Sequence, residues 1–162
     1  MKKFFGLTIL FLILFCQTIY SFAKISEAEY IQKGNEILKT IESGQNSELN
    51  SMYLKKAQYY FYVASRKTPP SSDALTGLGR VYTLQGKYDD AKNTLFRAFS
   101  LDPYNSSTSF YFAEFCYKND DYITALKYYE KAQKLGFPDR AKTQEMINKC
   151  NSKLGIGIPA EE

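Results

Sequence analysis

The apolar positions of this chain recur with a period that is neither that of a single helix nor that of a strand. Shifted against itself by 34 residues, the sequence brings Ala57, Ala91 and Ala125 into register, and with them Ala64, Ala98 and Ala132. Phe61, Leu95 and Tyr129 form a third matched set, and Leu54, Tyr88 and Tyr122 a fourth. Within each period the spacing is helical. Ala91, Leu95 and Ala98 are four and three residues apart and share one helix face, and Leu75, Leu78, Gly79 and Tyr82 do the same on a helix upstream. Gly86 marks the turn between these two helices, and Asp102-Pro103 stops the second. Each period therefore predicts a helical hairpin in which small residues let the axes approach and a large one fills the adjoining groove. A hairpin of this size has too little core to stand alone and must stack on its neighbours.

Residues 72–105, through Leu78-Gly79, Tyr82, Gly86, Tyr88, Ala91, Leu95, Ala98 and Pro103, resemble a tetratricopeptide repeat. Residues 106–139 resemble a second copy, through Ala113, Tyr122, Ala125, Tyr129 and Ala132, with departures at Ser109, Cys116 and a Pro138 that arrives one residue late. A first copy is expected at 27–71, carried by Tyr30, Gly34 and Ile37 and then Ala57, Phe61, Ala64 and Pro69. Gly34 to Ala57 is 23 residues against 12 from Gly79 to Ala91, and the polar stretch Glu42–Asn50 predicts a long loop that holds the surplus. Beyond Pro138, residues 139–153 read as one more helix, N-capped by Asp139 with Ala141, Met146, Ile147 and Cys150 as its apolar stripe. Lys142, Glu145, Lys149 and Lys153 would give it the polar outer face that ends a repeat array. The expected fold is thus all-α: a repeat domain over 24–154, which the resemblance makes a right-handed solenoid of three hairpins plus a capping helix, with a loose tail at 155–162.

Residues 1–23 stand apart. Lys2 and Lys3 precede an apolar run from Phe4 to Phe15, followed by a more polar stretch ending in Ser21-Phe22-Ala23. This is the three-part pattern of a secretory signal cleaved after Ala23. Phe4 to Ala23 is also about long enough to serve as an uncleaved anchor. Cys16 follows bulky Phe15 where a lipoprotein signal wants a small residue. In each case the domain leaves the cytosol, to a periplasm or the exterior, and touches a membrane only through this segment.

Composition narrows the chemistry. Removing residues 1–23 leaves 139 residues with 19 basic and 17 acidic side chains, so the net charge falls from +4 to +2 and nucleic acid is not an expected partner. There is no histidine, which excludes imidazole acid–base chemistry and His-ligated metals. No phosphate-cradling glycine loop, nucleophile elbow or paired-cysteine metal motif is present, so no enzyme, cofactor or metal is expected. The doublets Asp89-Asp90 and Asp120-Asp121 start the second helices, where carboxylates cap free amides and complement the helix dipole. The tyrosines of Tyr59-Tyr60-Phe61-Tyr62 and Tyr128-Tyr129 flank packing positions and read as amphipathic shoulders of the core. Cys116 and Cys150 are one period apart. An oxidising compartment invites their pairing, whereas helix axes about 8–10 Å apart oppose it, unless the late Pro138 shifts the register.

The remaining expectation is binding. In the resembling family the first helices line a concave groove that takes an extended peptide or a helix of a partner protein. Carried onto this sequence, the groove-facing places are Asn35, Leu38 and Lys39, then Asp73, Thr76, Arg80 and Thr83, and then Phe110, Glu114, Tyr117 and Lys118. Phe110 and Tyr117 beside Arg80 and Lys118 are the kind of surface that concentrates binding energy, unless the capping helix packs over both rings. The family's clamp for a partner's C-terminus uses Lys and Asn at places held here by Thr76, Gly77, Arg80, Phe110 and Tyr111, so such a clamp is not expected. The expected function is a non-enzymatic adaptor of the cell envelope. The alternative is a structural subunit that oligomerises or joins an assembly through its convex or terminal faces.

Overall fold

The computed structural model describes residues 25–44 and 49–156. The segment 1–23, with the secretory-signal pattern expected there, the middle of the Glu42–Asn50 connection and the tail beyond Ile156 lie outside the described residues.

Seven helices make up the described chain: α1 (Glu27–Glu42), α2 (Asn50–Ser65), α3 (Ser72–Leu84), α4 (Tyr88–Leu101), α5 (Ser106–Lys118), α6 (Tyr122–Lys134) and α7 (Arg140–Lys153). Their starts follow from side chains that satisfy the free amides of the first turn. Ser26 accepts from the Glu29 N–H, Ser71 from Ala74, Asn105 from Thr108, Asp121 from Thr124 and Asp139 from Lys142. Gly86 leaves α3 at φ 72°, and one period later Asp120 holds the corresponding place after α5 at φ 59°. Aspartate tolerates this left-handed backbone better than most residues. Here the Tyr122 hydroxyl donates to its carboxylate.

Each helix packs on the next, and the tightest pairs are the hairpins α1·α2, α3·α4 and α5·α6. The first helices also touch one another in succession, α1 on α3 and α3 on α5, so they form an inner row. This is an all-helical, sequentially packed repeat solenoid. The 34-residue comb is its core: Ala57, Phe61, Ala64, Ala91, Leu95, Ala98, Ala125, Tyr129 and Ala132 are all fully buried. Gly34 of α1 and Gly77 of α3 face the Phe61 ring from two sides, and Gly79 faces Leu95. Central α3 touches α1, α2, α4 and α5, and ten of its thirteen residues are buried. The fourth matched set departs from this rule. Leu54 and Tyr122 are half-buried, and Tyr88 is exposed with its ring tilted against Phe115 at 6.3 Å between centroids.

Two expectations change. The surplus of the first repeat is not all loop. Gly34 to the end of α1 is eight residues where Gly79 to the end of α3 is five, and the start of α2 to Ala57 is seven where the start of α4 to Ala91 is three. Most of the insertion thus lengthens the two helices. The stripe of α7 is also rotated. Thr143, Ile147 and Cys150 are buried while Ala141 is exposed. Thr143 tolerates burial because its hydroxyl donates to the Asp139 carbonyl at 2.7 Å. This rotation turns Lys142 away from the outer face and toward α1, where its Nζ lies 3.1 Å from Glu42.

Candidate functional site

A cavity of about 380 Å³ opens along the inner row of first helices. The helical period decides what each helix contributes. From α1 come Ile31, Asn35, Lys39 and Glu42, and from α3 come Asp73, Thr76, Gly77 and Arg80. Both sets follow three- and four-residue steps, so each is a single face. From α5 come Ser107 and Tyr111, and the turn between α6 and α7 closes the far wall with Phe137 and Pro138.

Hydroxyls and amides bind the floor between α3 and α5. Thr108 is fully buried, and its hydroxyl lies 2.7 Å from that of Thr76 and 3.2 Å from that of Ser72. Asn105 donates to Asp73 at 2.7 Å. The charged end of the cavity is built around Arg80, whose side chain is only 7% exposed. Its Nη2 donates to Glu42 Oε1 at 2.5 Å, and its guanidinium lies 4.3 Å from the centre of the Tyr111 ring. The same Glu42 oxygen accepts from Lys142, which joins the first helix to the last. Burial pushes the Glu42 carboxyl up, but Arg80 and Lys142 more than reverse this and hold it below its ordinary 4.5. Burial raises the Tyr111 phenol, with Arg80 opposing.

The expected groove residues divide. Asn35 and Arg80 line the cavity, as do Lys39, Asp73 and Thr76. Leu38 does not, because it is fully buried between the helices. Phe110 occupies the groove-facing register of α5, one period after Thr76, but it is 1% exposed and is not a groove surface. The ring of Phe137 stacks flat on it, with centroids 4.2 Å apart and planes at 3°, while Tyr111 and Tyr129 meet it edge-on. Thr83 is buried, with its hydroxyl donating back to the Gly79 carbonyl. Tyr117 is half-buried against Tyr122, Glu114 is half-buried, and Lys118 is exposed near the end of α5. These last four lie outside the cavity.

Sequence reasoning missed the part played by Glu42, Tyr111, Phe137 and Lys142. One signal was legible. The residue that delays Pro138 is Phe137, an apolar insertion in a turn where the previous repeat has Asp102 before its proline. Extra apolar surface in a turn needs something to cover, and the Phe110 ring, one period after Thr76, is what it covers.

Cys116 and Cys150 are both buried free thiols. Burial pushes the Cys116 thiol up to about 12, with Asp121 adding to the shift, and burial raises Cys150. Both are held in their unreactive protonated form at neutral pH. Among the described residues no group of three or more His, Cys, Asp or Glu side chains is placed to hold a metal ion. No described helix is long and apolar enough to cross a membrane.

A scan of protein-family models gives no match to this chain, and neither does a search of curated proteins.

Proposed function

We propose that this chain is a tetratricopeptide-like adaptor of the cell envelope that holds an extended segment of a partner protein in the groove of its inner row. The observation that carries the reading is the cavity itself. Three successive first helices and the α6–α7 turn converge on it, setting amide, hydroxyl and charged groups beside Ile31, Tyr111, Phe137 and Pro138. The cavity of about 380 Å³ has room for a few residues of extended chain. The N-terminal pattern of Lys2, Lys3, the Phe4–Phe15 run and Ser21-Phe22-Ala23 supports export.

A second reading has its own observation. Tyr62 of α2 and Phe96 of α4 are one period apart and are 51% and 47% exposed. Aromatics repeated at this spacing on second helices favour a subunit that docks by its outer face.

Photocrosslinking in the native host separates the two, with one probe at Asn35 in the groove, one at Phe96 and a control at Lys127. A defined partner captured from Asn35 alone supports the adaptor. Capture from Phe96 alone refutes it in favour of the outer-face subunit, and equal capture from all three sites refutes both.

A further inference from the structure

Arg80 is the only charged residue among the described ones that is buried. A guanidinium carries five N–H donors in a planar fork. Here Nη2 donates to a single oxygen of Glu42, and Nε, shielded from solvent, has no hydrogen-bond partner. A carboxylate satisfies such a fork best side-on, with one oxygen on each of two neighbouring N–H groups. Glu42 supplies half of that arrangement. It reaches in from the last residue of α1 with its own side chain 43% exposed. The C-terminus of a helix is the negative end of the dipole, so the carboxylate is held there by Arg80 and Lys142 against the local field.

We propose that Arg80 is the residue that reads a side-chain carboxylate on the bound segment, and that Glu42 stands in for that carboxylate in the free protein. The inference rests on the groove-binding reading above and names the chemistry of its partner, an extended segment carrying Glu or Asp. Three features of the site support it. Tyr111 lies 4.3 Å from the guanidinium as a cation–π partner, which uses none of its N–H donors and leaves Nε without a hydrogen bond. Lys142, with its Nζ 3.1 Å from Glu42, adds a second cation at the Arg80 end of the cavity. Asp73 is already held by Asn105, and Glu42 keeps Lys142 as a partner when it leaves Arg80, so neither carboxylate is stranded by the exchange.

The test is a titration of the purified protein with a five-residue peptide, Gly-Glu-Gly-Glu-Gly, acetylated, amidated and carrying an uncharged dye. Its glutaminyl counterpart and a free-acid pentaglycine are the comparisons, and binding is read by fluorescence polarisation. On the wild type the glutamyl peptide binds more tightly than the glutaminyl one. Glu42→Gln removes the internal competitor and tightens the glutamyl peptide about five- to tenfold while leaving the glutaminyl peptide unchanged. Arg80→Gln abolishes that preference, and so does Arg80→Lys, because an ammonium keeps the charge but not the fork. Urea unfolding of each variant verifies its fold, and the wild-type comparison of the two peptides stands even where a variant does not fold. Equal binding of glutamyl and glutaminyl peptides overturns the carboxylate inference and leaves the groove reading intact. Tighter binding of the free-acid pentaglycine overturns the assignment to a side chain. No binding of any peptide to wild type or Glu42→Gln also overturns it, and the groove reading is then decided by the Asn35 crosslink alone.

Discussion

Gly77 lies in the middle of α3, where helix propensity alone favours alanine by about 1 kcal/mol. Its surroundings reverse the sign. A Cβ at Gly77 would overlap Cε1, Cδ1 and Cζ of Phe61, whereas carbon–carbon contacts settle near 3.5–4.0 Å. The ring would have to retreat by about 1 Å or more. Behind it stands Gly34, where a Cβ would itself come within 2.6–2.9 Å of the same ring, so Phe61 fills the space between two bare helix surfaces. Phe61 is fully buried, which leaves it no exit to solvent. Overpacking of a closed site costs about 3 kcal/mol, the upper part of the usual range, and the propensity gain offsets about 1. Gly77→Ala is therefore expected to destabilise the fold by about 2 kcal/mol, read as a lower urea midpoint by circular dichroism at unchanged m-value. Phe61→Leu costs stability on its own but removes the obstacle. In that background Gly77→Ala becomes neutral or stabilising, a coupling of about 2 kcal/mol. A Gly77→Ala chain more stable than the wild type, or an equal cost in both backgrounds, refutes the account of Phe61 as the wedge between α1 and α3.

Two further outcomes follow from buried polar groups. Tyr129 is fully buried with a hydroxyl that has no hydrogen-bond partner, so Tyr129→Phe is expected to leave stability unchanged or raise it by up to about 1 kcal/mol in the same urea assay; a loss larger than that contradicts the missing partner. Glu42 titrates below its ordinary 4.5 in the folded chain, so its contribution is fully present above about pH 4.5 and fades as the pH falls through the depressed folded value. Glu42→Gln should flatten the acid limb of stability below pH 4.5 relative to the wild type, and superimposable limbs contradict the pairing with Arg80 and Lys142.

What the sequence revealed depended on whether a feature repeats. The buried comb of alanines with Phe61, Leu95 and Tyr129 was legible because three copies of one packing solution recur at one period. Asn35 and Arg80 came from the groove-facing places of the resembling family, and both line the cavity. The failures lie where the chain leaves the repeat. Phe110 has the right register, and its fate is decided by Phe137, which has no counterpart in the earlier turn. Lys142 looked like an outer-face residue because the stripe of α7 was read from Ala141 and Met146, whereas Thr143 took the buried place with an internal hydrogen bond. Glu42 belonged to a stretch read as loop, and only its position as the last residue of a lengthened α1 brings it to Arg80. Contacts between elements 100 residues apart, such as Glu42 with Lys142, depend on the accumulated curvature of the array and have no local signature.

That closure has two parts of unequal strength. The wall is packed: α7 lies on α6, Ile147 and Cys150 are buried, and Phe137 is stacked on Phe110. Burying side chains of this kind stabilises by about 1.5–3 kcal/mol each, so the wall stays in place as long as the domain is folded. The strap is ionic. Lys142 and Glu42 are 36% and 43% exposed, and pairs this accessible contribute at most about 1 kcal/mol. In the proposed exchange a ligand that takes the place of Glu42 on Arg80 leaves the Lys142–Glu42 pair intact, while the packed wall continues to limit the size of what enters. On the proposed reading only the Glu42 side chain at the end of α1 changes its bonding, and the helices that shape the cavity need not move.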